Sequence, residues 1–450
     1  MYRNAVLLFT LALVNYGGVY AQASNVSPYS RYGLGDIYDL QFAQNTGMGG
    51  TSISFADSFL INIANPASYG QLARFNPVLD VGARGRLIRF YTNADSAKNY
   101  ALSLSNIAMA IPVSKRVGLA FGLVPYSSSG YDITYNVTDD TLGNVRYAYQ
   151  GNGGINRAFI GAAYSPLRNS KSSLSLGVNA SYLFGEIQKV RKVYYLSLGT
   201  GTYNTKIINS YFVHDVALDA GLLYKNTLID KRLIFRLGVT YGVPLDITAT
   251  QTMLAHTFTS TLSESIIDTV AYEDDVKGHF SLPVKWGYAM SFDVFGKREN
   301  NPPKFTFALQ YEMQSWEKFE ENFGQAVKYD FLNNSSAMSF GFQYIPRTIG
   351  NGKSRIKTLA LANYRAGVYQ KKSYLTLQNS QIIEQGVTFG IGLPLIYSYS
   401  YSMLNISFEL GTRGTTDNNL ILERYFGVHI GYAFSPNKQS DRWFVKRRFD

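Results

Sequence analysis

The chain has 450 residues, of which 46% are apolar and only 16% charged, with 35 Tyr, 28 Phe, 40 Gly and no Cys. Lack of cysteine removes disulfide staples and leaves stability to backbone pairing and packing, and the aromatic-rich, charge-poor balance is not that of a soluble enzyme. The formal charge of +11 is scattered rather than patched, which excludes nucleic acid as a partner.

In chain order, residues 1–21 read as a secretory signal peptide. Arg3 gives the positive start, residues 5–14 the apolar core and Val19-Tyr20-Ala21 the small-residue cleavage site. That run is too short to span a bilayer, and no later run reaches the roughly 18 uninterrupted apolar residues of a membrane helix. Residues 22–76 then carry Gly, Pro, Asn and Ser too densely for a long helix or strand. Their apolar side chains, among them Leu34, Ile37, Phe42, Met48, Phe55 and Phe59, exceed what a disordered segment carries. A compact irregular segment of this kind needs a wall to bury it.

Residues 77–436 supply the pattern of such a wall. Phe426, Val428, Ile430, Tyr432 and Phe434 fall on one face of a strand, with Tyr425, Gly427, His429, Gly431 and Ala433 on the other. Tyr288, Met290, Phe292 and Val294 alternate in the same way with Gly287, Ala289, Ser291 and Asp293. Strands are expected near 77–93, 100–114, 116–135, 145–165, 173–192, 207–226, 231–249, 279–296, 303–317, 336–346, 354–370, 384–396, 402–413 and 423–435. About fourteen strands, apolar on one side and small or polar on the other, predict an all-β transmembrane antiparallel barrel. Short connections such as Ser114-Lys115-Arg116 are placed in the periplasm. The long ones, 250–278 and 316–335, face outward, and 250–278 has room for a further hairpin. Residues 437–450, with Lys438, Arg442, Lys446, Arg447 and Arg448, are read as a periplasmic basic tail.

Within residues 22–76, Gly47-Met48-Gly49-Gly50 precedes Asn65-Pro66-Ala67 by about fifteen residues. This arrangement resembles the FadL family of hydrophobic-compound transporters, and the opening Ser27-Pro28-Tyr29-Ser30-Arg31-Tyr32-Gly33 is similar to its PorV-like subgroup, tied to type IX secretion. The resemblance implies an N-terminal hatch folded inside an outer-membrane barrel of a Gram-negative-type bacterium. It also implies passive uptake of hydrophobic compounds, with lateral exit through a kink in the third strand. Proline cannot donate to a ladder and so marks a bulge. Pro125 stands in the third expected strand, followed by Tyr126. The ligand path is therefore assigned to Leu34, Ile37, Phe42, Met48, Phe55, Phe59, Pro125 and Tyr126; the alternative for the first six is the hatch's own core, and for Pro125 a strand that has already left the bilayer.

The sequence is not read as an enzyme and no cofactor or metal site is assigned; Glu273-Asp274-Asp275 in the longest loop, a weak calcium candidate, is read as a solvated acidic tip. There are four histidines, no GxSxG and no HExxH, and His429 reads as a hydrogen-bonded structural residue. Asp219, Arg236, Lys285, Asp293, Glu312 and Glu409 are expected to form a luminal ion-pair network that holds the hatch. The expected partners are outer-membrane lipid and a hydrophobic small molecule. The alternative function is a structural subunit of an outer-membrane machine, in type IX secretion or barrel assembly, with protein partners.

Overall fold

The computed structural model describes residues 26–73, 76–197, 202–229, 232–259, 264–297, 302–348, 358–397 and 400–436. The expected signal peptide and basic tail lie outside them. Twenty strands run in chain order: β1 Asp36–Ile37, β2 Val78–Tyr91, β3 Ser96–Pro112, β4 Val117–Ser128, β5 Tyr131–Asp139, β6 Gly143–Arg168, β7 Ser172–Tyr195, β8 Asn204–Leu228, β9 Leu233–Gly242, β10 Leu245–Phe258, β11 Ile266–Leu282, β12 Lys285–Phe295, β13 Lys304–Gln314, β14 Glu320–Asn322, β15 Ala326–Lys328, β16 Ser335–Ile345, β17 Asn363–Leu377, β18 Ser380–Tyr397, β19 Ser400–Arg413 and β20 Leu422–Pro436.

Fourteen of these close an antiparallel barrel. The wall runs β2-β3-β4-β6-β7-β8-β9-β12-β13-β16-β17-β18-β19-β20, and β20 returns to β2 from Leu79↔Phe434 to Tyr91↔Leu422. These strands correspond one to one with the fourteen expected. Alternation decides which face is which: Phe408, Leu410, Phe426 and Ile430 stand exposed on the outside, whereas Asn405, Ser407 and Glu409 are buried in the lumen. Such a surface is stable only against hydrocarbon, where closure also satisfies every ladder hydrogen bond.

The stretch 250–278, expected as a long loop with room for a further hairpin, is part of one. β10 continues the pairing of β8 from Ala249↔Val213 to Phe258↔Asn204, and β11 folds back on β10. Together with β5 and the outer halves of β6, β7 and β8 it forms a sheet that extends beyond the barrel rim. β6 alone has 26 residues, against about 10 needed to cross a bilayer at a tilt. The strand expected over 354–370 begins at Asn363, after a 3-10 turn at Thr358–Ala360.

Residues 26–73 lie inside the barrel. They comprise a 3-10 turn Pro28–Arg31, β1, a short helix α1 Ala43–Thr46 and a 3-10 turn Pro66–Gln71. Two apolar clusters bind this hatch to the wall. One joins Tyr29 and Leu34 to Tyr126, Ile155, Leu183, Trp316 and Tyr374. The other joins Phe42, Ile61, Ile63 and Tyr69 to Val78, Ala120, Phe159 and Met403.

Candidate functional site

The hatch motifs are contact surfaces. Gly49 and Gly50 adopt φ of +67° and +84°, where a side chain is strained. The turn they form brings backbone against backbone, so that a Cβ on the wall residue Gly367 would lie 2.1 Å from Gly49 N. Gly47 meets Gly390 less closely, a Cβ on either lying 3.0 Å from the other's Cα, and Met48 presses its carbonyl on Gly341. Asn65 caps the Pro66–Gln71 turn by accepting from Ala67 N at 3.0 Å, and its amide donates to Ile53 O at 2.8 Å and to the wall carbonyl of Leu222 at 3.1 Å. Pro66 and Ala67 fit over Gly177 of β7.

Three polar ties fix the other end of the hatch. Asp36 meets Arg413 at 2.9 Å, Asp39 meets Lys371 at 2.6 Å, and Ser27 donates to Glu423 at 2.5 Å. Sequence reasoning missed Arg413 and Lys371. The signal was the luminal parity of β19, which runs from Asn405 through Ser407 and Glu409 to Arg413. The six charges expected in the lumen do pair, but with the wall: Arg157 with Asp219 (3.1 Å), Arg236 and Lys304 with Asp293 (2.7 and 3.1 Å), Lys285 with Glu312 (2.5 Å) and Arg86 with Glu409 (3.2 Å). His429 completes the set, 3.3 Å from Glu409. A Tyr369 hydroxyl donates to Glu409 at 2.5 Å, and Tyr425 donates to Glu384 at 2.6 Å.

The wall itself parts at one place. β3 and β4 pair only from Pro112↔Gly118 to Ile107↔Leu123. Beyond Leu123, β4 turns into the lumen: Val124, Tyr126, Ser127 and Ser128 are buried, and the register with β6 slips between Pro125 and Ser127. There the hatch strand β1 takes the place that β3 leaves, pairing Asp36↔Ser128 and Ile37↔Ser127, and Tyr38 N donates to Tyr126 O at 2.9 Å. Pro125 thus sits where the wall strand bends.

Behind this seam lies a cavity of about 250 Å³. Its lining joins Arg84, Arg86, Lys285 and Lys371 with Asp39, Glu312, Glu384 and Glu409, beside Ser103 and Ser105 of β3. Of the expected path residues only Ile37 borders it. Leu34, Ile37 and Tyr126 belong to the outer apolar cluster, whereas Phe42 and Phe55 belong to the other. Met48 and Phe55 border a separate small pocket near Asp293, and Phe59 is half-buried. The structure therefore divides the eight among separate packing environments.

A fourteen-stranded barrel, a lumen filled by an N-terminal hatch and a strand that bends inward at the third wall position define a transmembrane β-barrel with an internal hatch. The solved structures agree in fold. A FadL homologue of Pseudomonas aeruginosa superimposes with a TM-score of 0.53 at 10% identity, over 89% of this chain and 98% of that one. The toluene transporter TodX of Pseudomonas putida gives 0.51 at 14%, over 89% and 99%. The CymD monoaromatic hydrocarbon channel gives 0.50 at 16%, over 87% and 97%. No curated protein matches the sequence. The chain belongs to the BamG family, whose model matches residues 1–450.

Proposed function

We propose that this protein is a sealed barrel in the outer membrane of a Gram-negative-type bacterium and serves as a structural subunit of a multiprotein machine there, with barrel assembly as the process. In this reading residues 1–21 are removed on export, 22–76 are the hatch, 77–436 the wall and 437–450 a periplasmic tail. The carrying observation is the charged cavity between hatch and seam. Apolar groups such as Ile88, Met313 and Trp316 share that lining with the charges, but an apolar compound that filled the space would still desolvate paired carboxylates, guanidiniums and ammoniums without compensation. The hatch is also tied at both ends, through Asp36, Asp39 and Ser27 on one side and Asn65 on the other. The rim sheet beyond the membrane offers surface for partners, and membership of the BamG family is in keeping with this role.

A second reading, passive passage of hydrophobic compounds with exit beside Pro125, is favoured by the parting of β3 from β4 at Leu123 and by the fold shared with the toluene transporter TodX and the CymD monoaromatic hydrocarbon channel. In that case the Gly47-Met48-Gly49-Gly50 and Asn65-Pro66-Ala67 contacts must break for ligand to pass.

Mild-detergent purification of the tagged protein from its native membrane, with mass spectrometry of co-purifying proteins and lipids, separates the two. Stoichiometric protein partners with an empty barrel are expected. A lone barrel loaded with apolar molecules would overturn the subunit reading.

A further inference from the structure

β3 has a free edge inside the membrane. From Tyr91↔Ser96 to Val78↔Ala110 it bonds to β2 on one side, but its pairing to β4 on the other ends at Ile107. Among the described residues no strand pairs with the β4 side of 97–105. From Tyr100 to Ser105 this is membrane-level backbone: Tyr100, Leu102 and Leu104 stand 61%, 55% and 45% exposed in the outer apolar band, continuous with Ile107, whereas Ala97, Lys98 and Asn99 are exposed on both faces. Their neighbours Ala101, Ser103 and Ser105 face the charged cavity. Backbone N–H and C=O groups at this depth must find a partner, and each one unsatisfied in hydrocarbon costs several kcal/mol. Tyr100 N donates to Asn99 Oδ1 at 2.8 Å, and the polar cavity behind the seam borders Ala101, Ser103 and Ser105.

The edge also carries a charge that matches a specific kind of occupant. Arg86, Lys285, Lys371 and Arg413 around the cavity each face a carboxylate. Arg84 does not, among the described residues. Its Nε donates to Ser103 Oγ at 2.9 Å, its guanidinium lies 3.4 Å from the centre of the Tyr38 ring, and its buried Nη2 has no hydrogen-bond partner. A cation with an unpartnered N–H thus sits directly behind the open edge, hydrogen-bonded to the strand that forms it, with Asp39 and Glu409 in the same cavity but, among the described residues, no carboxylate within 4 Å.

We propose that residues 97–105 of β3 accept a β-strand from a second outer-membrane barrel protein. The guest lies antiparallel to β3, where β4 would continue, with apolar side chains outward beside Tyr100, Leu102 and Leu104 and a carboxylate or amide inward toward Arg84. The ladder supplies affinity and the alternation fixes register. Arg84 favours a guest whose luminal face is acidic. This deepens the subunit reading, on which it rests, by naming the kind of partner and its place.

A photoreactive residue replacing Leu102 or Leu104 in the full-length protein in its native membrane tests the idea. The control is Val178 on β7, 51% exposed but paired on both sides. Adducts to another barrel protein, mapping to a membrane strand, are expected at Leu102 and Leu104 at least fivefold over Val178. Arg84→Glu should cut that yield severalfold and Arg84→Lys should restore it, with heat-modifiable migration on gels confirming that both barrels fold. Adducts to lipid only, to a second copy only, or equal yields at Val178 would overturn the proposal. If those appear while partners still co-purify stoichiometrically, the edge proposal falls alone. If no partner co-purifies, both fall.

Discussion

Lys371 of β17 reaches the hatch carboxylate of Asp39 across the lumen, 2.6 Å apart, although 332 residues separate them in the chain. Both side chains are about a third exposed, so the pair is hydrated on one side. Its worth lies mainly in what happens when one member is removed and the other stays part-buried beside Glu409 and Lys285. Lys371→Ala should loosen the hatch by about 1–3 kcal/mol, and the double variant Asp39→Ala with Lys371→Ala should lose less than the two singles summed. Hydrogen exchange of residues 36–50 reads this out, and additive effects would show that the pair contributes nothing.

Gly367 is the wall position where the hatch comes closest. A methyl group there meets Gly49 N and Met48 C at 2.1 and 2.3 Å, and both are backbone, so neither side can yield by a rotamer change. Gly367→Ala is expected to destabilise hatch docking by about 1–3 kcal/mol or more and to open residues 43–70 to protease while the barrel stays folded. Gly85→Ala, whose Cβ would first meet Leu102 Cδ1 at 3.6 Å, should leave hatch protection unchanged. Equal protease resistance in both variants would show that the wall gives way more easily than this packing implies.

The barrel was legible because lipid imposes alternation. Strands such as β12 and β20, with Met290 and Phe426 outward and Ser291 and Gly427 inward, announce themselves by period two. β10 and β11 did not. Above the rim both faces meet water or the sheet's own packing, so Thr248, Gln251, Asp268 and Asp274 interrupt the pattern, and the hairpin reads as a loop. At the site, Gly47-Met48-Gly49-Gly50 and Asn65-Pro66-Ala67 were visible as local turn chemistry. Their receptors, Gly367, Gly341, Gly177 and Leu222, were not, because nothing local in a strand glycine says what it will touch. The seam was half visible: Pro125 marks the bend, but only three-dimensional pairing shows that β1 fills the gap on one side and leaves Arg84 and Ser103 on the other.

The tip of the β10–β11 hairpin is held by charge. Lys192 and Lys206 both reach the Glu264 carboxylate, the latter at 2.6 Å. Burial pushes the carboxyl up, but the hydrogen bonds from the two lysines outweigh it and hold it below its ordinary value. A carboxyl whose folded pKa is depressed stabilises the fold above its unfolded pKa of about 4.3, and this contribution is lost as pH falls through the folded value. Phe258 and Ile266 should therefore exchange more slowly in the parent protein than in Glu264→Gln at pH 7, and at the same rate once pH is well below about 4. A gap that persists in acid would mean the lysines act through packing alone.

Pro125 is the residue that sequence reasoning would hold responsible for the seam, since proline withholds a ladder donor. The structure assigns the bend to more than that. Tyr126, Ser127 and Ser128 are buried in the lumen, Ser127 and Ser128 pair with Ile37 and Asp36, and Tyr126 O accepts from Tyr38 N. Three residues after the proline are thus held by the hatch, and restoring one N–H at position 125 cannot return them to β3. Pro125→Ala should leave the exchange of the Leu102 and Leu104 amides within about twofold of the parent. Weakening the hatch hold instead, with Tyr38→Pro to remove the N–H that bonds Tyr126 O, should let β4 move toward β3 and slow those amides tenfold or more. If Pro125→Ala alone protects them, the proline sets the seam and the hatch merely follows it.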